Sequence, residues 1–382
     1  MSPTPVSMSS PTAPAVYTWE ATNEAVASKY GVPVSEILRF DLNTSPAPPD
    51  FVGRILAANS FEVSLAEYPP SDYRRLSEAA AEVYGVERNE VLVGAGADEV
   101  LDMIAKAFLV PGTSAVVAIP TYSMYRVVTE QRGASAILVP RLGADEGYAL
   151  DGPAMQAAGR RANLVWICNP NNPTGRAEPP GTIEALLAGL AADAEADGRR
   201  PPAVAIDEAY AEFSGTSAIP LLGTYPDLLV IRTASKAYAL AGLRVGFALA
   251  RRATLEKVEP YRPPGSVSTV SVTVVTAALR DQATLESNIE RIEAQRGRLA
   301  ADLAAIGWLV GPSVTNFLLV DFGTPERAER TADRLLRRGL VPRTFPQGHP
   351  LNAFLRFTVR AQHENDRLIT AARDIAAEET AA

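Results

Sequence analysis

The stretch DLLVIRTASKAYALAGLRVGFALA, residues 227–250, decides the reading of this chain. It opens on an apolar β-rich run, DLLVIRTAS, and closes on a second, RVGFALA, with a lysine-bearing turn between them that is too short for a full helix. Strand-length runs joined so closely leave room for one antiparallel strand in a sheet. Lys236, at the centre, sits among small and apolar residues, beside Thr233 and Ser235 and eight positions before Arg244. Burial opposes the charge of an amine. Such a lysine either snorkels to water or is held in place for chemistry.

Working outward, residues from about 90 to 250 alternate two textures. SAVVAIP, SAILVPR, NLVWICNP and AVAIDEAY are further short β-rich runs, and helix-length stretches such as GADEVLDMIAKAFLV, YSMYRVVTEQRG and TIEALLAGLAADAEADG lie between most of them. Strands alternating with helices predict an α/β fold with a mainly parallel sheet between helical layers. Beyond it, a long polar-faced helical pattern, DQATLESNIERIEAQRGRLAADLAAIG, leads to NFLLVDF, ERAERTADRLLRRG, FLRFTV and a helical tail. That order predicts a small α+β domain. The expected division is a disordered N-terminal tail over 1–18, a large α/β/α domain over 51–275, and a small domain assembled from 19–50 and 276–382.

Composition narrows the function classes. A chain of 382 residues with 47% hydrophobic and 21% charged residues is ordinary globular material for at most two domains. The net charge is −8 with no basic block, which argues against nucleic acid and anionic membranes as partners. One cysteine, Cys168, excludes an internal disulfide and a multi-cysteine metal site. No window approaches the roughly eighteen apolar residues of a membrane span. The amino end, MSPTPVSMSSPTAPAVY, has neither the apolar run of a signal peptide nor the arginines of a transit peptide. The expected setting is the cytoplasm.

Four strings bear on chemistry. VLVGAGADEVLDM reads as strand, glycine turn and helix start; Glu99 stands where a dinucleotide fingerprint needs its third glycine. What remains is a plain β–α turn, or one that offers backbone N–H groups to a phosphate. CNPNNPTG, residues 168–175, is either a rigid surface loop or, since it follows a strand, part of a ligand edge to which Asn172 lends its amide. In AIDEAYAEF, Asp207 is a cap or an acid awaiting a cation, and Tyr210 is half-buried core or a phenol at a site. No lysine or arginine lies near Asp207 in sequence, so the protonated ring nitrogen of a cofactor is a candidate partner. Together with Lys236 these are the parts pyridoxal phosphate needs: an amine, an acid for its ring, and fixed donors for its phosphate.

NPNNPTG, DEAY and TASKAYALAGLRVGF, in this order, resemble the aspartate aminotransferase superfamily, fold type I of the pyridoxal phosphate enzymes, and within it the histidinol-phosphate aminotransferase branch. The likeness runs from about Leu38 to the C-terminal helix. It implies Lys236 as Schiff-base lysine and proton shuttle, Asp207 as partner of the pyridine nitrogen, and Tyr210 and Asn172 as partners of the phenolic oxygen. Tyr122 of PTYSMY matches the aromatic residue stacked on the ring. Ala97 and Asp98 match the phosphate turn through their backbone amides, with Ser235 and Arg244 completing the grip and Thr233 assisting. Tyr68 of EYPP resembles a tyrosine that reaches the neighbouring subunit's phosphate, which implies a homodimer with shared sites. Arg356 matches the arginine that binds the substrate's anionic group, and Arg343 the branch's second arginine, with a strand-end surface charge as its plainer reading.

The implied reaction moves an amino group between L-histidinol phosphate and 2-oxoglutarate or glutamate, a step of histidine biosynthesis. Two departures bear on the amine. Where the branch has an Asn-Glu-Asn-Pro string, this chain reads DLNTSPAPP, keeping Asn43 as a substrate-side candidate and Pro46 but no acid. Where the branch has a glycine after its LR(I/V)TV string, Arg360 stands, either serving another anion or solvated. The competing readings are an aminotransferase for aromatic or other amino acids, a threonine-phosphate-type decarboxylase, and a cofactor-free binding module. His349 and His363 lie in no recognised motif, which predicts surface or satisfied roles for both. Trp19 is placed by position as a cover for the substrate pocket.

Overall fold

The computed structural model describes residue 16 and residues 21–59, 61 and 63–381, so most of the expected tail, and Trp19, lie outside the described residues. After a two-residue strand β1 (Leu38–Arg39), the chain lays down β2 (Val91–Gly94), β3 (Ser114–Ile119), β4 (Ser135–Pro140), β5 (Leu164–Cys168), β6 (Ala203–Asp207), β7 (Leu228–Thr233) and β8 (Gly246–Ala250). These last seven form one sheet in the order β2-β8-β7-β6-β5-β3-β4. Only β8 runs against its neighbours, pairing antiparallel with both β7 and β2. The short connection around Lys236 therefore does what its length requires. The mainly parallel α/β sheet expected from the alternation is present.

Strands buried on both faces explain the unbroken apolar runs. In β5, Val165 and Ile167 join the core on one face while Leu164, Trp166 and Cys168 join the core on the other. Successive side chains alternate in this way along β3 and β6 as well. Helices cover each face, among them Ala97–Phe108, Met124–Gln131 and Thr182–Ala196. Because β2, β3, β5, β6 and β7 point the same way, their carboxyl ends form one edge. Gly94, Ile119, Cys168, Asp207 and Thr233 all finish there.

Past the helix Gln282–Ala305, a second sheet is built from β9 (Leu309–Val310), β10 (Phe317–Asp321) and, after β11 (Leu340–Val341), β12 (Phe354–Thr358). Its order is β12-β10-β9, all antiparallel. It has its own core, which includes Phe40, Trp308, Phe322, Leu355 and Phe357. Part of the early segment packs here: β1 pairs in parallel with β11, Leu38 against Leu340. The helix Gln282–Ala305 links the two regions, burying Leu285 and Ile292 in the larger core and Leu299 and Leu303 in the smaller. Among the described residues no helix is long and apolar enough to cross a membrane, and no acidic, histidine or cysteine cluster could hold a metal ion.

Candidate active site

A cavity of about 940 Å³ opens over the carboxyl edge of the large sheet, between it and the smaller region. Its size suits a cofactor and a substrate together. Ala97, Asp98, Tyr122, Asn172, Asp207, Tyr210, Thr233, Ser235, Lys236, Arg244, Asn43, Arg343 and Arg356 all line it. Tyr68 does not: it is 92% exposed and outside the lining.

Lys236 follows β7 in the turn that reverses the chain. Burial, then the Arg356 charge, lowers its amine to about 8. Its Nζ lies 5.7 Å from the centre of the Tyr210 ring. Asp207, at the end of β6 and 4% exposed, is pushed up to about 6 by burial, against the opposing hydrogen bond from Tyr125. The Tyr125 hydroxyl donates to one carboxylate oxygen at 2.8 Å, and the Ala209 N–H donates to the other at 3.0 Å. Among the described residues no ion pair closes on this carboxylate at salt-bridge distance. A buried acid so placed suits a cationic partner.

The phosphate-turn strings come together as well. The helix beginning at Ala97 has no side-chain cap, so its first-turn N–H groups are an anion site in waiting. Gly96 is required there: with φ at +83°, a Cβ on it would lie 2.4 Å from Nη2 of Arg244. Gly246 allows the same approach from β8, since a Cβ on it would meet Ala97 N at 2.5 Å. Arg244 reaches the Asp98 carboxylate at 3.2 Å, and the Tyr122 hydroxyl donates to the same carboxylate at 3.0 Å. Thr233 and Ser235 hydroxyls sit 2.9 Å apart, both buried. Glu99, in the fingerprint's glycine place, accepts from Ala95 N–H at 2.6 Å and from the Ser266 hydroxyl at 2.8 Å, bracing the turn from behind.

The CNPNNPTG loop divides its asparagines. Asn169 accepts from the Glu178 N–H at 2.9 Å, and Asn171 bonds Thr121, Thr174 and the Pro120 carbonyl, so these two hold the loop's shape. Asn172 alone faces the cavity. Its carbonyl oxygen accepts from Arg356 Nη1 at 2.5 Å, leaving its NH2 as a donor. Arg356 Nη2 donates to the Asp41 carbonyl at 2.5 Å. Arg343 and Arg356 exchange both backbone hydrogen bonds at 3.0 Å across an antiparallel bridge. Residues paired in this manner have Cα atoms about 5.5 Å apart with side chains on one face. Two guanidinium groups therefore share one end of the cavity.

Asn43 was expected to touch substrate. Its side-chain NH2 is instead committed to the Tyr210 hydroxyl at 2.9 Å, and its backbone N–H to Thr358 Oγ1 at 2.9 Å. Its left-handed φ of 52° turns it in. Burial raises the Tyr210 phenol, with Arg356 and the Asn43 bond pulling the other way. Arg360 fits neither of its expected roles. It donates to the Arg39 carbonyl at 3.1 Å and to Glu364 at 2.7 Å, joining β12's exit to β1 and the C-terminal helix. His349 takes the satisfied role of the two expected: its Nδ1 accepts the Leu351 N–H at 3.0 Å, and its ring stacks on Phe345 at 4.9 Å; that it also lines the cavity was not foreseen. His363 is exposed, as expected. Tyr125 was missed altogether; its position one helical turn after Tyr122 was the available signal. Cys168 opposes Asp207 in the sheet, and burial pushes its thiol up to about 12, so it is no nucleophile at neutral pH.

The family model for aminotransferase class I and II matches residues 43–375, and the chain belongs to that family. It is 36% identical over 363 residues to the histidinol-phosphate aminotransferase of Roseiflexus castenholzii, covering 92% of this chain and 93% of that one. A second relative of the same description, from Thermococcus gammatolerans, is 35% identical, covering 90% and 93%. Among solved structures, the histidinol-phosphate aminotransferase of Sinorhizobium meliloti in complex with pyridoxal-5'-phosphate superposes with a TM-score of 0.84 at 26% identity, over 97% of this chain and 99% of that one.

Proposed function

We propose that this aminotransferase uses pyridoxal 5'-phosphate to move an amino group between L-histidinol phosphate and 2-oxoglutarate or glutamate, as a step of histidine biosynthesis. The observation that carries the reading is a buried amine of lowered pKa and a buried carboxylate in one cavity that two paired arginines also line. The residues fit the cofactor: the uncapped helix start would take its phosphate, and the buried acid, without an ion pair among the described residues, would take its ring cation. When bound, pyridoxal phosphate supplies an aldehyde for the amine and a ring that accepts the electron pair of a broken C–H bond.

Each side chain then has a task. Lys236, part-deprotonated near neutrality, would be the amine that holds the cofactor's aldehyde and the base positioned for the proton on the substrate α-carbon. Asp207 would hold the ring nitrogen's proton, with the Tyr125 hydrogen bond favouring the ionised carboxylate and fixing its direction. Tyr210 and the Asn172 NH2 would bond the phenolic oxygen, with Asn43 positioning Tyr210. Tyr122 would lie against the ring. The Ala97 and Asp98 N–H groups, Ser235, Thr233 and Arg244 would hold the phosphate. Arg356 and Arg343 take the substrate's anion, because a guanidinium fork bonds carboxylate and phosphate alike. One pocket can therefore serve both substrates in turn.

Tyr68, exposed and outside the lining of its own cavity, suits a role in a partner's site within a homodimer. The division into a large part, 51–275, and a small part, 19–50 with 276–382, belongs to this reading, as does the cytoplasmic setting. The test is steady-state kinetics with L-histidinol phosphate and 2-oxoglutarate both varied. Parallel double-reciprocal lines support the reading. Intersecting lines, or no turnover with this pair, refute it.

A further inference from the structure

The connection between β11 and β12 carries a feature that the aminotransferase chemistry above does not use. It begins at Pro342, passes Arg343, and returns to Arg356 by way of His349. It is not a loose loop. His349 N–H donates to the Pro346 carbonyl at 3.0 Å, Asn352 N–H to the His349 carbonyl at 3.1 Å, and Leu351, next in the turn, is fully buried. The imidazole stacks on Phe345 with planes 19° apart. Its Nδ1 accepts the Leu351 N–H at 3.0 Å.

That last bond sets the tautomer. A nitrogen that accepts an N–H carries no proton, so the neutral ring has its one proton on Nε2. Burial, then the Arg343 charge, lowers the imidazole pKa, which keeps the ring neutral at physiological pH. The ring lines the same cavity as both arginines. We propose that His349 is a specificity-determining residue whose Nε2–H donates to a phosphoryl group held by Arg343 and Arg356.

The stoichiometry of donors supports this. A carboxylate presents two oxygens, which one guanidinium fork satisfies. A phosphoryl group presents three terminal oxygens. Arg356 already spends donors on Asn172 and the Asp41 carbonyl. A neutral, fixed donor beside the pair adds a bond for the third oxygen without adding charge that would hold glutamate equally well. The inference rests on the phosphorylated-amine reading of the substrate.

Two variants separate donation from loop structure. His349→Asn keeps an oxygen near the Nδ1 position for Leu351 and removes the distal donor; His349→Gln restores an N–H near Nε2. Asparagine is expected to raise the ratio of KM for L-histidinol phosphate to KM for glutamate about tenfold, the loss of one charge-assisted bond, and glutamine to restore most of it. An equal rise in both KM values, or no change, overturns the proposal. A second readout needs no turnover. The chain has two histidines, so 13C-labelled imidazole signals of the cofactor-loaded enzyme can be assigned with the His349→Asn variant. Inorganic phosphate is expected to shift the His349 signal and not that of His363, with glutamate shifting neither. If wild-type enzyme rejects L-histidinol phosphate, the substrate reading fails. The phosphate response then judges His349 by itself: a selective shift upholds the donor, and its absence overturns it.

Discussion

Tyr125→Phe removes one oxygen from a residue that touches neither substrate nor the outside, yet its consequence should appear at the cofactor. The phenol donates to Asp207 at 2.8 Å in a fully buried setting, between the Tyr122 ring at 5.7 Å and the Trp166 ring stacked at 5.6 Å. A hydrogen bond to a charged group contributes about 1.5–3 kcal/mol, or about one to two pKa units. Asp207, at about 6 with the bond in place, would then titrate at roughly 7–8 without it. Its folded pKa is already raised, so the ionised form is what acid removes, and the variant loses it at higher pH. At pH 6 the ionised fraction falls from about half to between roughly a tenth and a hundredth, whereas above about pH 9 both proteins are largely ionised. Binding of the cofactor, followed by tryptophan fluorescence of the apoenzyme, should weaken about five- to fiftyfold at pH 6 and little at pH 9. A loss of affinity that is the same at both pH values would refute the reasoning, because a packing defect has no reason to titrate.

Three further changes read other parts of the site. Lys236→Met should leave no turnover and make the apoenzyme more stable at pH 7 by an amount on the order of 3 kcal/mol, since the buried amine is held near 8 against 10.5 unfolded. The penalty is complete below pH 8 and fades as pH rises to 10.5, so denaturant midpoints of the two proteins should converge there. Gly246→Ala drives a Cβ into the Gly96–Ala97 backbone at 2.5 Å; cofactor affinity should fall at least about tenfold with a lowered Tm, and an unchanged affinity would mean the turn is free to shift. Arg360→Gly should cost about 1–3 kcal/mol in urea unfolding by breaking a mostly buried pair with Glu364, while KM values for both substrates hold; a selective rise in KM would return Arg360 to the substrate.

The parts of this account that were legible in the sequence are the ones set by local pattern. Strand runs buried on both faces, the turn after β7, and the three strings at strand ends all act within a few residues of themselves. That is why the parallel sheet, its reversed β8 and the cavity's main lining could be read before any coordinates. Contacts across the fold left weaker traces. Tyr125 reaches Asp207 over 82 positions, and Asn43 reaches Tyr210 over 167. Neither pairing alters the local texture of the chain. Arg360 looked like a spare charge because its partners, Arg39's carbonyl and the first turn of the C-terminal helix, are brought to it by the smaller sheet. For His349 a satisfied role was legible but its place in the cavity was not, because the buried Leu351 anchor and the Phe345 stack that hold its ring act only once the connection is folded.

The central claim, that Lys236 and its cofactor receive an amino group from a phosphorylated amine held by paired arginines, is tested most directly in a single half-reaction. Enzyme loaded with pyridoxal phosphate is mixed with L-histidinol phosphate alone, and separately with phenylalanine and phosphothreonine, while its visible absorbance is followed. Rapid bleaching by L-histidinol phosphate, slower by phenylalanine, and recovery on adding 2-oxoglutarate is the predicted result. Absorbance that persists with L-histidinol phosphate while phenylalanine bleaches it, or carbon dioxide released from phosphothreonine, would contradict the account.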